Sequence, residues 1–287
     1  KMQVIGGLIV RDYNDIPSNF RYTETLSQIL TEGDVPAISG VDTRMLTRII
    51  RDEGTQVAAL TSAETPTEEA LAMIKAYKPT ANAIEKVSTN KIWYSRTANP
   101  KYNIVAIDCG IKHSIIRTLK AYGCNITVVP YNTSAKEIIK MNPDGVIISN
   151  GPGSPDDVVS IVDVVKELKG KFPLFGIGLG NLLIALAYGA KADKLKFGHH
   201  GGNHPVMNVE TGKVLTVSQG EDYTLNEDSL KNTTLKITHR DILDKTVAGV
   251  ENVNDKVFSV QFNPEGAPGA VNDALFDKFI NLMKEGK

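Results

Sequence analysis

The sequence predicts an α/β protein in which a mostly parallel sheet is covered by helices, preceded by a smaller α/β unit. Three observations carry that expectation. From residue 104 onward, short apolar runs alternate with segments of helical periodicity, the rhythm of a parallel sheet with helices on both faces. Two of those runs end in glycine-rich turns, and in such sheets ligands bind at the carboxyl ends of the strands. Before residue 88 the rhythm is different and sparser.

In the first unit, strand-like runs near 3–10 and 56–60 flank helical segments near 22–32 and 43–52. Ser18-Asn19-Phe20-Arg21 and Asp42-Thr43-Arg44 stand at the helix entries, where short polar side chains can cap backbone N–H groups. The chain opens with Lys1 directly on the first strand-like run, as a fragment beginning inside a domain would. The polar stretch Ser88–Tyr102 holds Pro100 and interrupts the apolar pattern, so the expected domains are 1–95 and 96–287.

The second unit reads strand by strand. Ile104–Ile107 is an apolar run of buried-strand length, and Ile111, Ile115, Leu119 and Tyr122 then recur at helical spacing up to Gly123. A strand at 126–129, a helix at 135–141 and a strand at 145–148 follow. Ser154, Pro155, Asp156 and Asp157 form a strong helix start, with a capping hydroxyl, proline in the first turn and carboxylates at the positive end. Val214–Val217 and Val257–Phe262 read as strands, and a closing helix carries Leu275, Phe276, Phe279, Ile280 and Met283 on one face.

Composition narrows the function. A formal net charge of −1 gives no bulk attraction to nucleic acid or to an anionic membrane. No apolar run approaches the roughly 18 residues of a membrane span. Cys109 and Cys124 are the only cysteines, too few for a disulfide framework, so a reducing, cytoplasmic compartment is expected.

The turn Gly176-Ile177-Gly178-Leu179-Gly180 joins an apolar strand to an apolar helix. Glycines two before and two after a central residue suit a nucleophile elbow, in which a tight turn thrusts that residue above the sheet. The N–H groups of the following helix would face an oxyanion there. A dinucleotide fingerprint fails by one place, since its third glycine would fall on Asn181. A tight turn without chemistry is the plain alternative.

Ser149-Asn150-Gly151-Pro152-Gly153, the turn around Gly178, the run Lys196–Val206 (KFGHHGGNHPV) and Gln261-Phe262-Asn263-Pro264-Glu265 follow one another in the order of class I glutamine amidotransferases. The FGHHGGNHPV run, with Pro17–Arg21 and Gly40–Arg44 in the first unit, resembles the small subunit of carbamoyl-phosphate synthetase over essentially the whole chain. The resemblance implies a flavodoxin-like amidotransferase domain and a truncated N-terminal domain. It also implies glutamine hydrolysis without a cofactor, in pyrimidine or arginine biosynthesis. Ammonia would pass through a tunnel to the partner, a large ATP-dependent synthetase subunit.

That family uses a Cys–His–Glu triad, in which a thiolate attacks, an imidazole relays the proton and a carboxylate orients it. By the resemblance the cysteine falls on Gly178, the histidine on Asn263 and the carboxylate on Glu265. Gly151, Gly153 and Leu179 match positions lining the glutamine pocket. Asn181 and Leu182 stand where His-Gln is usual, a pair also found in ammonia-dependent members. The family's Q-N-H-G before an aromatic reads Gln219-Gly220-Glu221-Asp222-Tyr223, and Gly266 and Ala267 also depart from the pattern.

Two outcomes are open: an amidotransferase domain that no longer hydrolyses glutamine, or a pocket repurposed around Glu221, Asp222 and Glu265 to bind a cation or abstract a proton. In the second case the plain alternative is that Glu221 and Asp222 face solvent on a surface loop. No other nucleophile recommends itself. Cys109 and Cys124 read as small hydrophobes of the core, and Ser149 and Ser218 lack a histidine to activate them. His199, His200 and His204 lie on a glycine-rich loop without the helical spacing of a metal site, so hydrogen bonding rather than metal is expected of them.

Overall fold

The computed structural model describes residues 5–78, 83–266 and 272–285, so the first residues of the 3–10 run and Ala267 lie outside the described residues. It forms two compact units, Lys1–Pro79 and Thr80–Lys287. The division precedes the sequence-based boundary at 95/96 because two elements before that point belong to the large unit. Helix α4 (below) buries Ile84 in that unit's core, and a strand at 93–95 forms the sheet's edge.

In the first unit, β1 (Leu8–Ile9) pairs in parallel with β2 (Ala37–Ile38). Its helices are α1 (Leu26–Glu32), α2 (Thr43–Glu53) and α3 (Thr67–Ala76). Helix α1 starts later than the sequence suggested because Thr25 and Gln28 form a capping box. Asp42 caps α2 as expected, its carboxylate accepting the Met45 N–H at 3.0 Å. The run at 56–60 forms no strand. A strand needs partners for its N–H and C=O groups, and the two-residue pairing of β1 with β2 gives it no sheet to join.

The second unit opens with α4 (Ala83–Val87) and β3 (Trp93–Ser95). Then β4 (Tyr102–Asp108), α5 (His113–Ala121), β5 (Cys124–Pro130), α6 (Ala135–Lys140), β6 (Gly145–Ile148), α7 (Val159–Leu168), β7 (Leu174–Ile177) and α8 (Leu179–Ala187) alternate as the sequence predicts. After these come β8 (Ala192–Asn208), β9 (Val214–Leu225), α9 (Glu227–Leu230), β10 (Lys236–Asp241), β11 (Val247–Asn252), β12 (Val257–Val260) and α10 (Asp273–Lys284). Ser154 does form its capping box, but the chain turns through a short 3₁₀ segment, Pro155–Val158, before α7 begins.

One ten-stranded sheet runs β10-β8-β9-β11-β12-β7-β6-β4-β5-β3. Its centre, β12-β7-β6-β4-β5, is parallel. Strand β3 closes one edge antiparallel, and β11, β9, β8 and β10 extend the other as antiparallel pairs. Successive residues of a strand face opposite sides of the sheet. Val105, Ile107, Val146 and Ile148 therefore meet α4, α6, α7 and α8 on one side. Ile104, Ala106, Ile147 and Phe175 meet α5 and α10 on the other. No helix among the described residues is long and apolar enough to cross a membrane.

Helix α8 lies directly on the sheet because a Cβ at Gly180 would run into the Ile148 backbone. That contact places the start of α8 at the carboxyl ends of β6 and β7. The assignment of α4 to this unit makes a prediction. Ile84 is fully buried, so Ile84→Ala should destabilise the second unit by about 2–5 kcal/mol, read as a lower urea midpoint at unchanged slope.

Candidate functional site

Strand β7 ends at Ile177 and α8 begins at Leu179, leaving Gly178 alone between them at φ 58° and ψ −114°. Its N–H donates to the Val260 carbonyl at 2.9 Å, which ties the turn to the end of β12. This backbone conformation is strained for any residue with a side chain. The elbow expected from the glycine spacing is therefore present, with its central residue at the N-terminus of an apolar helix.

The space a side chain at 178 would enter is taken by Glu221. A Cβ there would lie 2.6 Å from Glu221 Oε1 and 3.2 Å from the Asn150 Cβ. Glu221 and Asp222 are consecutive residues of β9, so their side chains leave on opposite sides. Glu221 points inward and is buried; Asp222 is half exposed and accepts from His200 Nε2 at 3.2 Å. The expectation of two solvent-facing carboxylates thus holds for one residue and fails for the other.

Burial pushes the Glu221 carboxyl up to about 8, and the neighbouring Asp222 charge adds to the rise. Gln261 and the Lys112 charge pull it down in part. The Asp222 carboxyl is held below its ordinary value, chiefly by the His200 hydrogen bond, and His200 is raised by the same bond. The two acidic neighbours therefore carry different charges near neutrality.

Glu265 has a fully buried side chain. Lys112, at the entry to α5, pairs with its Oε1 at 3.4 Å, and the Ser114 hydroxyl donates to the same oxygen at 3.4 Å. Glu265 Oε2 and Asn150 Oδ1 are buried without hydrogen-bond partners. Asn263 is buried, and its N–H donates to the Ser218 carbonyl at 2.9 Å. Sequence reading missed Lys112. The available signal was its place just beyond the carboxyl end of β4, the edge at which parallel sheets bind ligands.

The other singled-out residues divide between lining and scaffold. Gly153 has φ 87°, and a side chain at Gly151 would strike the Cys109 carbonyl, so both shape the turn after β6. Gly220 has open space where a Cβ would be. Leu179 and Leu182 pack into the core between α8 and the sheet, and Tyr223 packs against the same cluster, so Leu182 is not brought to the elbow. Asn181 is buried; its Nδ2 donates to Gln261 Oε1 at 2.6 Å and its Oδ1 accepts from the Ser259 hydroxyl at 2.8 Å. It fastens α8 to β12.

None of the alternative nucleophiles is poised. Cys109 and Cys124 are fully buried, burial raising both thiols, Cys124 to about 12. Ser149 Oγ accepts the Cys109 N–H and donates to the Asn150 carbonyl, both at 2.9 Å. His199, opposite Glu221 in the β8–β9 ladder, has its ring nitrogens engaged by Gln219 Oε1 at 3.0 Å and Asp244 Oδ2 at 2.6 Å. His199, His204 and Asp241 bring potential ligand atoms within 4.8 Å of one another, while His200 stands apart on Asp222. The elbow thus sets one buried carboxyl, Glu221, against Gly178 with Asn150 beside it, while Glu265 pairs with Lys112, whose charge also bears on Glu221.

Comparison with known proteins accords with this geometry. Residues 105–282 match the family described as Glutamine amidotransferase class-I, and residues 1–60 match Carbamoyl-phosphate synthase small chain, CPSase domain. The carbamoyl phosphate synthase small chain of Staphylococcus saprophyticus is 44% identical over 99% of this chain and 77% of its own length. A relative in Halalkalibacterium halodurans, named a carbamoyl phosphate synthase pyrimidine-specific small chain, is 43% identical over 99% of this chain and 78% of its own. Among solved structures, a GMP synthase-type protein of Thermoplasma acidophilum shares the fold. Its TM-score is 0.56 at 20% identity, over 64% of this chain and 94% of that one. The chain belongs to the carbamoyl phosphate synthase small chain family, and its second unit is a class-I glutamine amidotransferase domain.

Proposed function

We propose that this chain is a carbamoyl phosphate synthase small-subunit domain that does not hydrolyse glutamine. The resemblance puts the nucleophile at 178, the imidazole at 263 and the orienting carboxylate at 265; here these are Gly178, Asn263 and Glu265. The observation that carries the reading is Glu221. Its carboxyl reaches to 2.6 Å from the point where a side chain at 178 would start, so the position is occupied as well as empty of a thiol. Asn263 has no proton to cycle near neutral pH, and Glu265 is engaged by Lys112 instead of an imidazole. Gly151 and Gly153 shape the turn after β6 and Gly220 faces open space, while Leu179, Leu182 and Tyr223 pack in or against the core.

The intact fold supports a retained role as partner of a large ATP-dependent synthetase subunit, fed by ammonia from another source. The name of the Halalkalibacterium relative favours pyrimidine biosynthesis. Two buried free cysteines and relatives of this kind support the cytoplasm as its compartment.

A glutaminase assay tests the central claim. Loss of a triad nucleophile costs on the order of 10⁶ in kcat, so release of glutamate and ammonia should stay at background. Turnover of about 1 s⁻¹ or more, the ordinary enzyme range, would sink the reading. Gly178→Cys with Asn263→His should remain inactive while Glu221 is present.

The packing of Glu221 against 178 is testable as a double-mutant cycle. Gly178→Ala should cost about 1–3 kcal/mol from backbone strain and crowding, and the cost should shrink by roughly 0.5 kcal/mol or more in a Glu221→Gly background. Strictly additive variants would show that the two positions do not touch.

A pH series isolates Glu221. Its folded pKa lies above that of the unfolded chain, so the folded state binds the extra proton. Its contribution to stability is complete below about 4.5 and is lost as pH rises to about 8. Relative to Glu221→Gln, the parent should lose stability over that window by at most about 1.4 kcal/mol per pH unit. Parallel denaturation midpoints for the two proteins would contradict it.

A further inference from the structure

We propose that His199, His204 and Asp241 form a binding site for a zinc-class divalent cation, which fastens the bulged part of β8 to the end of β10. The site shares no residue with the triad positions, and it stands whether or not glutamine is hydrolysed.

Strand geometry brings the three side chains together. Both histidines lie on β8, five residues apart, and five steps along a regular strand would leave them on opposite faces. The ladder with β9 removes that mismatch. Gly201 pairs with Gln219 and His204 with Val217, so three steps on β8 match two on β9. The extra residue is a bulge, and it returns His204 to the face of His199. Gly201, at φ 132°, takes a backbone conformation there that favours glycine. Asp241 ends β10 opposite Val206, which lies two residues beyond His204 and on its face. The two imidazole centroids are 5.2 Å apart. One candidate ligand atom from each of the three residues lies within 4.8 Å of the other two.

Two of those atoms have no other partner. Asp241 is 1% exposed. Its Oδ1 accepts the Leu243 N–H at 2.7 Å, whereas its Oδ2 is buried without a hydrogen bond. The adjacent Arg240 is committed to Glu227. His204 Nδ1 is also buried and unpartnered. It stands 3.6 Å from Asp241 Oδ2, too far for a hydrogen bond. Metal bonds of about 2.0–2.1 Å would span such a gap at an angle of roughly 120°. His199 faces an acceptor at each nitrogen, Gln219 Oε1 and Asp244 Oδ2. A neutral imidazole has a single N–H to donate. One nitrogen therefore keeps a lone pair for a metal while the other donates, as ligating histidines commonly do. Closing all three residues on one ion draws the side chains in by about 1 Å.

Two imidazoles and one carboxylate suit zinc, cobalt or nickel; magnesium and calcium take oxygen ligands. Helical spacing is one way to align two imidazoles, and a bulged strand is another. The competing arrangement is a charged histidine–aspartate pair that binds no metal.

Titration of the intact, untagged chain with zinc sulfate against a chromophoric chelator tests this. One zinc should bind per chain in a saturable step, and saturation should raise the urea midpoint. X-ray absorption of the zinc-loaded parent should show nitrogen and oxygen neighbours at roughly 2.0–2.2 Å and no sulfur. That measurement needs no variant, and it separates this site from Cys109 and Cys124 exposed by unfolding. Asp241→Asn keeps an oxygen for the Leu243 N–H, and His204→Gln keeps a polar side chain on β8. Each should weaken zinc binding by about a hundredfold or more, the upper end of what losing even a ligand's hydrogen-bond partner costs. His200→Gln, which alters the histidine paired with Asp222, should bind zinc as the parent does. Absence of saturable binding, a sulfur neighbour, unchanged affinity in both ligand variants, an equal loss in His200→Gln, or equal affinity for magnesium would each overturn the proposal.

Discussion

A helix can lie flat on a strand only where the facing backbones carry nothing between them. Helix α8 meets β6 and β7 on those terms, through glycines at 176 and 180 whose added Cβ atoms would strike neighbouring atoms, Gly180 against the Ile148 backbone. That close approach fixes where the chain must reverse after β7, and it forces Gly178 into the left-handed region at φ 58°. The elbow, the start of α8 and the turns after β4 and β6 then converge at one edge of the sheet. Everything proposed for the site depends on that convergence.

Around the elbow, polar groups serve two purposes. Asn181, Gln261 and Ser259 form a buried hydrogen-bonded chain that holds α8 to β12. Ser149 does the same between the ends of β4 and β6, by way of Cys109 and Asn150. Glu221 is buried against Gly178, and Glu265 is buried on Lys112 with its second oxygen unpartnered.

Much of this protein was legible from sequence. Alternating apolar strands and amphipathic helices gave the parallel centre of the sheet, since periodicities of two and 3.6 residues are local properties of the chain. The capping residues Asp42 and Ser154 marked real helix or 3₁₀ starts. The order of the motifs around Asn150, Gly178, His199 and Glu265 identified the amidotransferase family. Where local signals were weak the reading failed: the 56–60 run has no strand to pair with, and Trp93–Ser95 joins the sheet of the second unit through β5.

The sequence by itself determined the α/β layering, the elbow and the absence of cysteine and histidine from the positions the family resemblance assigns to them. These follow from residue identity and spacing along the chain. Only the tertiary structure decided that Glu221 fills the place beside Gly178 while Asp222 turns away, that Lys112 engages Glu265, and that Leu182 belongs to the core. Those outcomes depend on which way each side chain leaves its strand or helix and on what another element brings against it. Residues 43 positions apart, such as 178 and 221, acquire a shared chemistry only when the sheet closes between them.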